Sequence, residues 1–171
     1  MENPLPETSY SVATGGNAIL VLVRGRATYT TCRIFGEFLE AAPGSGRRTL
    51  IIDLKECASV DSTVLGLIAG AAADFRKIGG EVYVQNAEGR VRDVIVNLGL
   101  PELLTLLPEG ETVPAAAALL NAEMETRRAA PAHNGTILHA HETLMAANPE
   151  NIARFKDVVA FMREDLGKNL D

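Results

Sequence analysis

Three consecutive small polar residues, Asp61, Ser62 and Thr63, stand between a strand-like run, "TLIIDL", and an apolar run rich in Ala and Gly. Such residues are favoured helix N-caps, because their side-chain oxygens accept hydrogen bonds from the unpaired N–H groups of the first turn. A hydroxyl at a helix start is also open to phosphorylation, since the helix dipole favours the added negative charge. The segment therefore predicts a helix cap or a phosphoacceptor. The two roles are compatible if Asp61 caps the helix and Ser62 faces outward.

A phosphoryl group at this position would act as a switch. It adds about −1.5 to −2 charges at neutral pH, beside the carboxylate of Asp61. The helix tolerates this charge, whereas a partner packed on the same spot meets bulk, repulsion and a desolvation cost. A penalty of about 3 kcal/mol weakens binding roughly a hundredfold. The hydroxyl groups at this position belong to Ser62 and Thr63.

Other catalytic or ligand-binding patterns are weak. His139 and His141 are two residues apart, so on a helix they point to different faces, and neither Cys nor clustered carboxylates complete a metal site with His133. The Gly-rich stretches "GGNA" and "PGSG" lack the Lys of a phosphate-binding loop. No Ser-His-Asp or Cys-His arrangement is visible from the spacing. The sequence therefore predicts a protein that is not an enzyme, with no cofactor and no metal.

Composition excludes several partners. The net charge of −6 argues against nucleic acids and anionic membranes, which require a basic face. Apolar runs fall short of the ~20 residues of a membrane helix, and "MENPLPETSY" has no signal-peptide pattern. Cys32 and Cys57 match neither a disulfide scaffold nor a metal motif. We expect free thiols in a cytoplasmic protein that does not insert into membranes.

The hydrophobic pattern predicts alternating strands and helices. "AILVLV" is almost continuously apolar, which is typical of a strand buried on both faces, and Gly15-Gly16 before it indicates a hairpin. Such alternation predicts an α/β fold in which helices pack on a sheet with parallel strands. The predicted strands are 10–14, 17–25, 49–54 and 81–86, with a further short one within 102–107; the predicted helices are 30–42, 61–78, 88–100 and 112–125.

The chain divides into four segments by composition. Residues 1–9 are predicted as a flexible arm, 10–123 as the α/β domain, 124–136 as a linker and 137–171 as a helical extension. Asn148 and Pro149 separate two helical segments of the extension, with Asn148 as N-cap. The second segment carries an apolar stripe, formed by residues three or four positions apart: Ile152, Phe155, Val159, Met162 and Leu166. That stripe packs on the domain, on the first segment, or on a second subunit in a homo-oligomer.

The stretch from Leu50 to Leu106 resembles the STAS domain, the domain of sulphate transporters and anti-sigma factor antagonists. The shared features occur in family order: a strand with a hydrophobic-Asp-hydrophobic end, the Asp-Ser-Thr step, a helix, Gly79-Gly80 before a strand, and a helix ending near "GL". The resemblance covers about residues 10–123. It implies a STAS-like mixed β-sheet with helices packed on it, followed here by the helical C-terminal extension.

The resemblance to anti-sigma factor antagonists also implies a function. In that class the first hydroxyl residue after the Asp is phosphorylated. The resemblance therefore implies Ser62 as the phosphoacceptor here, with Thr63 as a secondary one. The unphosphorylated protein binds a GHKL-type serine kinase that is also the anti-sigma factor, which frees the sigma factor. Phosphorylation releases the antagonist, and a PP2C-type phosphatase resets it. The implied partner surface comprises Asp61, Ser62, Thr63, Val64, Thr28 and Arg90.

Two positions differ from the family pattern. Val64 follows the hydroxyl pair where Gly is common, and Thr28 lies where an Asp is frequent. Other STAS proteins serve as unphosphorylated scaffolds or as subunits of transporters and signalling complexes. The sequence therefore leaves two functions open: a phosphorylation-controlled regulator of transcription, and a scaffold that is never phosphorylated.

Overall fold

The computed structural model describes residues 3–168. In chain order, the strands over this range are β1 Ser9–Gly15, β2 Ala18–Ala27, β3 Thr49–Asp53, β4 Cys57–Val60, β5 Glu81–Gln85, β6 Thr105–Leu106 and β7 Glu125–Arg128. The α-helices are α1 Arg33–Ala41, α2 Ser62–Lys77, α3 Gly89–Asn97, α4 Pro114–Leu120, α5 Asn134–Ala147 and α6 Glu150–Lys168. Short 3-10 helices occupy Ala42–Ser45 and Leu100–Glu102.

The strands form one mixed sheet in the order β6-β5-β3-β2-β1-β7. β1 and β2 form the predicted antiparallel hairpin, in which Gly15 pairs with Ala18. β2, β3, β5 and β6 are parallel neighbours, so each connection between them crosses over through helices. β4 pairs in parallel with the end of β2, and Val60 lies opposite Ala27. This pairing places the start of α2 beside the carboxyl end of β2.

The sheet has apolar cores on both faces, as the continuous apolar pattern of β2 predicts. Ile19 and Val21 belong to the larger core, which includes residues of α1, α2, α3 and α5. Leu20 points to the opposite face and packs with Ala116 and Leu119 of α4. One face of the sheet is therefore covered by α1, α2, α3 and α5, and the other face by α4.

The segment 124–136, predicted as a linker, is ordered into the fold. Its first part is β7, which pairs antiparallel with β1 at the edge of the sheet, and the Oγ atoms of Ser11 and Thr126 share a 2.8 Å hydrogen bond. Charged side chains on β7 hide the strand from a hydrophobicity pattern, because pairing of an edge strand rests on the backbone. α5 also begins within the segment, at Asn134.

In the predicted arm and in the C-terminal extension, side chains make defined hydrogen bonds. Within the predicted arm, the Thr8 hydroxyl donates to the carbonyl of Arg26 and accepts from its N–H, at 2.9 and 3.1 Å. The first two residues of that arm and residues 169–171 of the extension lie outside the described residues. At the other end, the Asn148 side chain accepts from the N–H of Glu150 at 3.0 Å, which confirms the predicted cap of the last helix.

The apolar stripe of α6 is only partly buried. Val159 is buried, and Phe155 packs against the larger core. Ile152, the first residue of the predicted stripe, is exposed, as are Val158 and Phe161 on another side of the helix. Among residues 3–168, no helix combines the length and apolarity needed to cross a membrane.

Candidate functional site

Asp61 is the N-cap of α2 and also holds the preceding loop. One carboxylate oxygen accepts from the N–H of Val64 at 3.0 Å, which is the expected cap bond. The other accepts from the N–H of Tyr29 at 2.8 Å. Asp61 therefore ties the helix start to the loop between β2 and α1, and the predicted cap is confirmed.

Ser62 opens α2 and is hydrogen-bonded to a residue of the C-terminal extension. Its Oγ lies 2.8 Å from Nε2 of His141 on α5. The other ring nitrogen, Nδ1, lies 2.7 Å from the carbonyl oxygen of Ile137. A carbonyl oxygen can only accept, so Nδ1 carries the hydrogen, and in the neutral ring Nε2 accepts from the Ser62 hydroxyl.

The environment of His141 is enclosed. The residue is only 6% exposed, and its ring meets that of Phe155 on α6 edge-on, with centroids 5.2 Å apart. Ser62 itself is half-buried. The Ser62–His141 hydrogen bond therefore lies between the start of α2 and the two C-terminal helices.

Thr63 and Val64 point into the protein. They are 2% and 1% exposed, and Val64 belongs to the larger core. Neither side chain is accessible in this conformation. The Val64 side chain therefore fills space in the core and adds nothing to the outer surface at Asp61 and Ser62.

The loop that contains Thr28 forms the second wall of the site. The hydroxyls of Thr28 and Thr30 share a 2.8 Å hydrogen bond, and the N–H of Thr28 donates to the Thr31 hydroxyl at 2.9 Å. Tyr29 is 53% exposed, while its backbone N–H is held by Asp61. Asp61 therefore contacts this loop at Tyr29, the neighbour of Thr28.

Arg90 joins this region only indirectly. It is exposed near the start of α3, a helix that contacts β4, the strand leading to Asp61. Arg92, two residues further, is bound internally, since its guanidinium donates to the carbonyl of Leu107 at 3.0 Å. Of these two arginines, Arg90 is the one available to a docked protein.

α5 lies directly on α2. Gly66 allows the close approach, because a Cβ atom at this position would overlap the carbonyl oxygen and the Cβ of Ala140. Gly70, one turn further, has more room: its nearest neighbour would be the methyl group of Thr143 at 3.9 Å. Ser62, Gly66 and Gly70 recur every four residues and so form one face of α2, which α5 covers.

Comparison with known proteins identifies the domain. The family model described as "Mlab, STAS domain" matches residues 10–108. The chain belongs to the STAS domain family. Two solved structures of similar fold are an anti-sigma factor antagonist from Mycobacterium paratuberculosis and the Bacillus cell fate determinant SpoIIAA in its phosphorylated form. SpoIIAA is likewise described as an anti-sigma factor antagonist. No curated protein sequence matches the chain.

The structural similarity spans the domain and stops short of the whole chain. The Mycobacterium protein is 21% identical, with a TM-score of 0.53, and the alignment covers 68% of this chain and 97% of that one. Bacillus SpoIIAA is 15% identical, with a TM-score of 0.51, and 64% and 96% are covered. These comparisons confirm the predicted STAS fold.

The STAS match contains the predicted site but not the helices that cover it. Asp61 and Ser62 lie within residues 10–108, whereas β7, α5 and α6 follow that match. His141 is the site residue that sequence reasoning did not connect with Ser62. Its pattern, "HAH", suggested only a weak metal ligand, and the pairing with Ser62 arises because α5 folds back on α2.

The two cysteines lie in environments that disfavour the thiolate. Cys32 is buried and Cys57 half-buried, and both are free. Burial raises the pKa of Cys32 to about 12 and that of Cys57 to about 11, so both thiols are protonated and weakly nucleophilic near neutral pH. Over the described part of the chain, no group of three or more His, Cys, Asp or Glu side chains could hold a metal ion.

Proposed function

We propose that this STAS protein is an anti-sigma factor antagonist-like regulator that acts by protein–protein binding, with Ser62 as the phosphoacceptor that controls binding. The observation that carries the proposal is the Asp-Ser step at the start of α2 in a STAS fold. Asp61 caps the helix, and Ser62 follows at its first position. The function requires no catalysis by this chain.

The chemistry of this position supports a charge switch. A phosphate on Ser62 would lie at the positive end of a 16-residue helix, where backbone N–H groups and the helix dipole stabilise an anion. The domain would therefore keep its fold when phosphorylated. A protein surface packed on Tyr29, Ser62 and Arg90 would instead have to accommodate a bulky dianion, which lowers its affinity.

The proposed partners are a GHKL-type serine kinase, acting as the anti-sigma factor, and a PP2C-type phosphatase. This assignment rests on the family resemblance and on the anti-sigma factor antagonists of similar fold. An exposed Tyr29 and an exposed Arg90 would supply an aromatic and a cationic contact, residue types that are enriched in protein interfaces.

Affinity capture from the source cells tests the proposal. The full chain is used as bait in three forms: wild type, Ser62→Ala and Ser62→Asp. We expect a protein with a GHKL kinase domain to be retained by the first two and reduced at least severalfold with Ser62→Asp. Equal retention by all three forms would contradict control at Ser62.

The alternative is a STAS scaffold, or a subunit of a transporter or signalling complex, that is never phosphorylated. The Ser62–His141 hydrogen bond gives the serine a structural role inside the chain, and this observation favours the alternative. Capture of transporter subunits without any GHKL kinase, by wild type and Ser62→Asp alike, would support it.

We also propose self-association through α6. Its outer side carries exposed apolar residues, with Phe161 at 69% and Val158 at 44% exposure. A second copy of the same helix would cover this side and explain the part of the apolar pattern that the fold leaves unburied. Phe161→Lys should lower the mass measured by light scattering at high concentration, and an unchanged mass would contradict the proposal.

A further inference from the structure

The C-terminal helices cover the candidate site through contacts at both of its ends. At the start of α2, Oγ of Ser62 and Nε2 of His141 share a 2.8 Å hydrogen bond. One turn further, Ala140 packs on Gly66 with no space for a side chain between them. A protein that docks on this face of α2 would have to occupy the volume that α5 fills.

The chain that leads into α5 closes the site from the other side. The N–H of Ala132 donates to the carbonyl of Tyr29 at 2.7 Å, and the N–H of Arg33 donates to the carbonyl of Ala130 at 2.9 Å. The loop that carries Thr28 is therefore bonded to the segment before α5, just as Ser62 is bonded to α5 itself.

Two polar contacts fasten α6 to the far end of the domain. Asn151 is completely buried, and its amide donates to the carbonyls of Leu98 and Leu144, each at 2.9 Å. Arg154 donates to the carbonyl of Asn97 at 3.0 Å. Both contacts lie at the carboxyl end of α3, remote in sequence from the Ser62 step, so they hold the extension without taking part in the site.

We propose that α5 and α6 are an autoinhibitory cover, which must leave α2 before a partner kinase can bind the surface around Ser62. This inference rests on the proposed function. The described conformation is then the closed state of the protein. A partner that binds only the open state has its apparent affinity reduced by the fraction of open molecules, so an open population of about 1% weakens binding about a hundredfold.

A matched pair of glycine variants in the full-length chain separates opening from other effects. Gly66→Ala adds a Cβ that overlaps Ala140 alone among its nearest neighbours, so the clash is relieved when α5 moves away. Gly70→Ala is the control, because its Cβ meets only the Thr143 methyl at an ordinary 3.9 Å. Both substitutions change the intrinsic helix propensity of α2 by the same amount.

The first measurement needs no partner: amide hydrogen exchange followed by mass spectrometry. We expect exchange over α5 and α6 to be at least tenfold faster in Gly66→Ala than in Gly70→Ala, with β1, β2 and β3 unchanged. Asn151→Ala, which removes the contacts at the other end, should act in the same direction. If neither variant speeds exchange over α5, the extension is not a separable cover and the inference is overturned.

The second measurement is the initial rate of phosphate incorporation at Ser62, in a lysate of the source cells supplied with ATP. We expect a rate about tenfold higher for Gly66→Ala than for Gly70→Ala, the ratio given by a tenfold larger open population. Equal, measurable rates, combined with faster exchange in Gly66→Ala, would overturn the cover and leave phosphorylation of Ser62 intact. No incorporation in any variant would overturn both the proposed function and the cover.

Discussion

The Oγ of Ser62 and Nε2 of His141, 79 residues apart in the sequence, lie 2.8 Å from each other. This hydrogen bond connects the first residue of α2 with the middle of α5. It places the predicted phosphoacceptor in contact with a part of the chain that follows the STAS match.

The Ser62–His141 bond should contribute measurably to stability. Ser62→Ala leaves the Nε2 of a buried histidine without its hydrogen-bond partner, and we expect a loss of about 1–2 kcal/mol. His141→Phe removes the ring nitrogen that requires a hydrogen-bond partner and keeps the aromatic contact with Phe155. Urea unfolding of both single variants and the double variant should give a coupling energy of about 1 kcal/mol. A coupling near zero would show that the bond is absent in solution.

Asp61 should contribute to stability through two separate bonds. Asp61→Ala removes the cap of α2 and the bond to Tyr29, and we expect it to lower the free energy of unfolding by about 2 kcal/mol. Asp61→Asn keeps one acceptor oxygen and should lose about half of that. Equal losses for both variants, measured in urea, would indicate that charge rather than hydrogen bonding holds the loop.

Asn151 should anchor α6. Asn151→Ala removes two buried hydrogen bonds and leaves the Leu98 carbonyl unpaired, whereas the Leu144 carbonyl still accepts from the N–H of Asn148. We therefore expect a loss of about 2 kcal/mol. The exposed Asn121 on the other face of the sheet is the control, and Asn121→Ala should change stability by less than about 0.5 kcal/mol. Similar effects of both substitutions on thermal unfolding would contradict a docked α6.

The two thiols should be protected in the folded protein. Because burial raises their pKa to about 12 and about 11, alkylation by iodoacetamide near pH 8.5, where unfolded thiols titrate, should be much slower in the native state than in urea. Because the pKa of each thiol is higher in the folded than in the unfolded protein, the protonated thiols contribute their full stabilisation below the unfolded pKa. That contribution is lost as the pH rises from about 8.5 towards the folded values. Unfolding midpoints that stay level up to pH 11 would contradict this.

The elements of the STAS domain could be predicted from the sequence because their apolar residues have regular spacing. The buried run of β2 and the cap at Asp61 are local signals, and both are confirmed. β7 was not predicted, since "ETRR" is polar and pairs through its backbone at the sheet edge. β4, with the sequence "CASV", is too short and too small in its side chains to stand out.

The connection between Ser62 and His141 could not be predicted for a different reason. It depends on how α5 packs across α2, and that packing depends on the absence of a side chain at Gly66. A glycine in a predicted helix is only a weak signal of close packing, because the sequence does not say which element approaches. The predicted apolar stripe of α6 likewise identified a face without identifying what covers it.

Val64 illustrates how burial changes the interpretation of a family difference. The residue stands where Gly is common in the family, yet its side chain is 1% exposed and packs in the core. The difference therefore adds volume inside the domain. It leaves the outward side of Asp61 and Ser62, on which a kinase would act, without an added side chain.

Phosphorylation of Ser62 can be measured as the mass of the intact protein isolated from its source cells under several growth conditions, beside a Ser62→Ala form expressed in the same way. We expect a fraction of the wild-type chain to carry one added phosphoryl group, located at Ser62 by peptide fragmentation and absent from Ser62→Ala. A wild-type chain without phosphate under every condition, or with phosphate at another residue, would contradict this expectation.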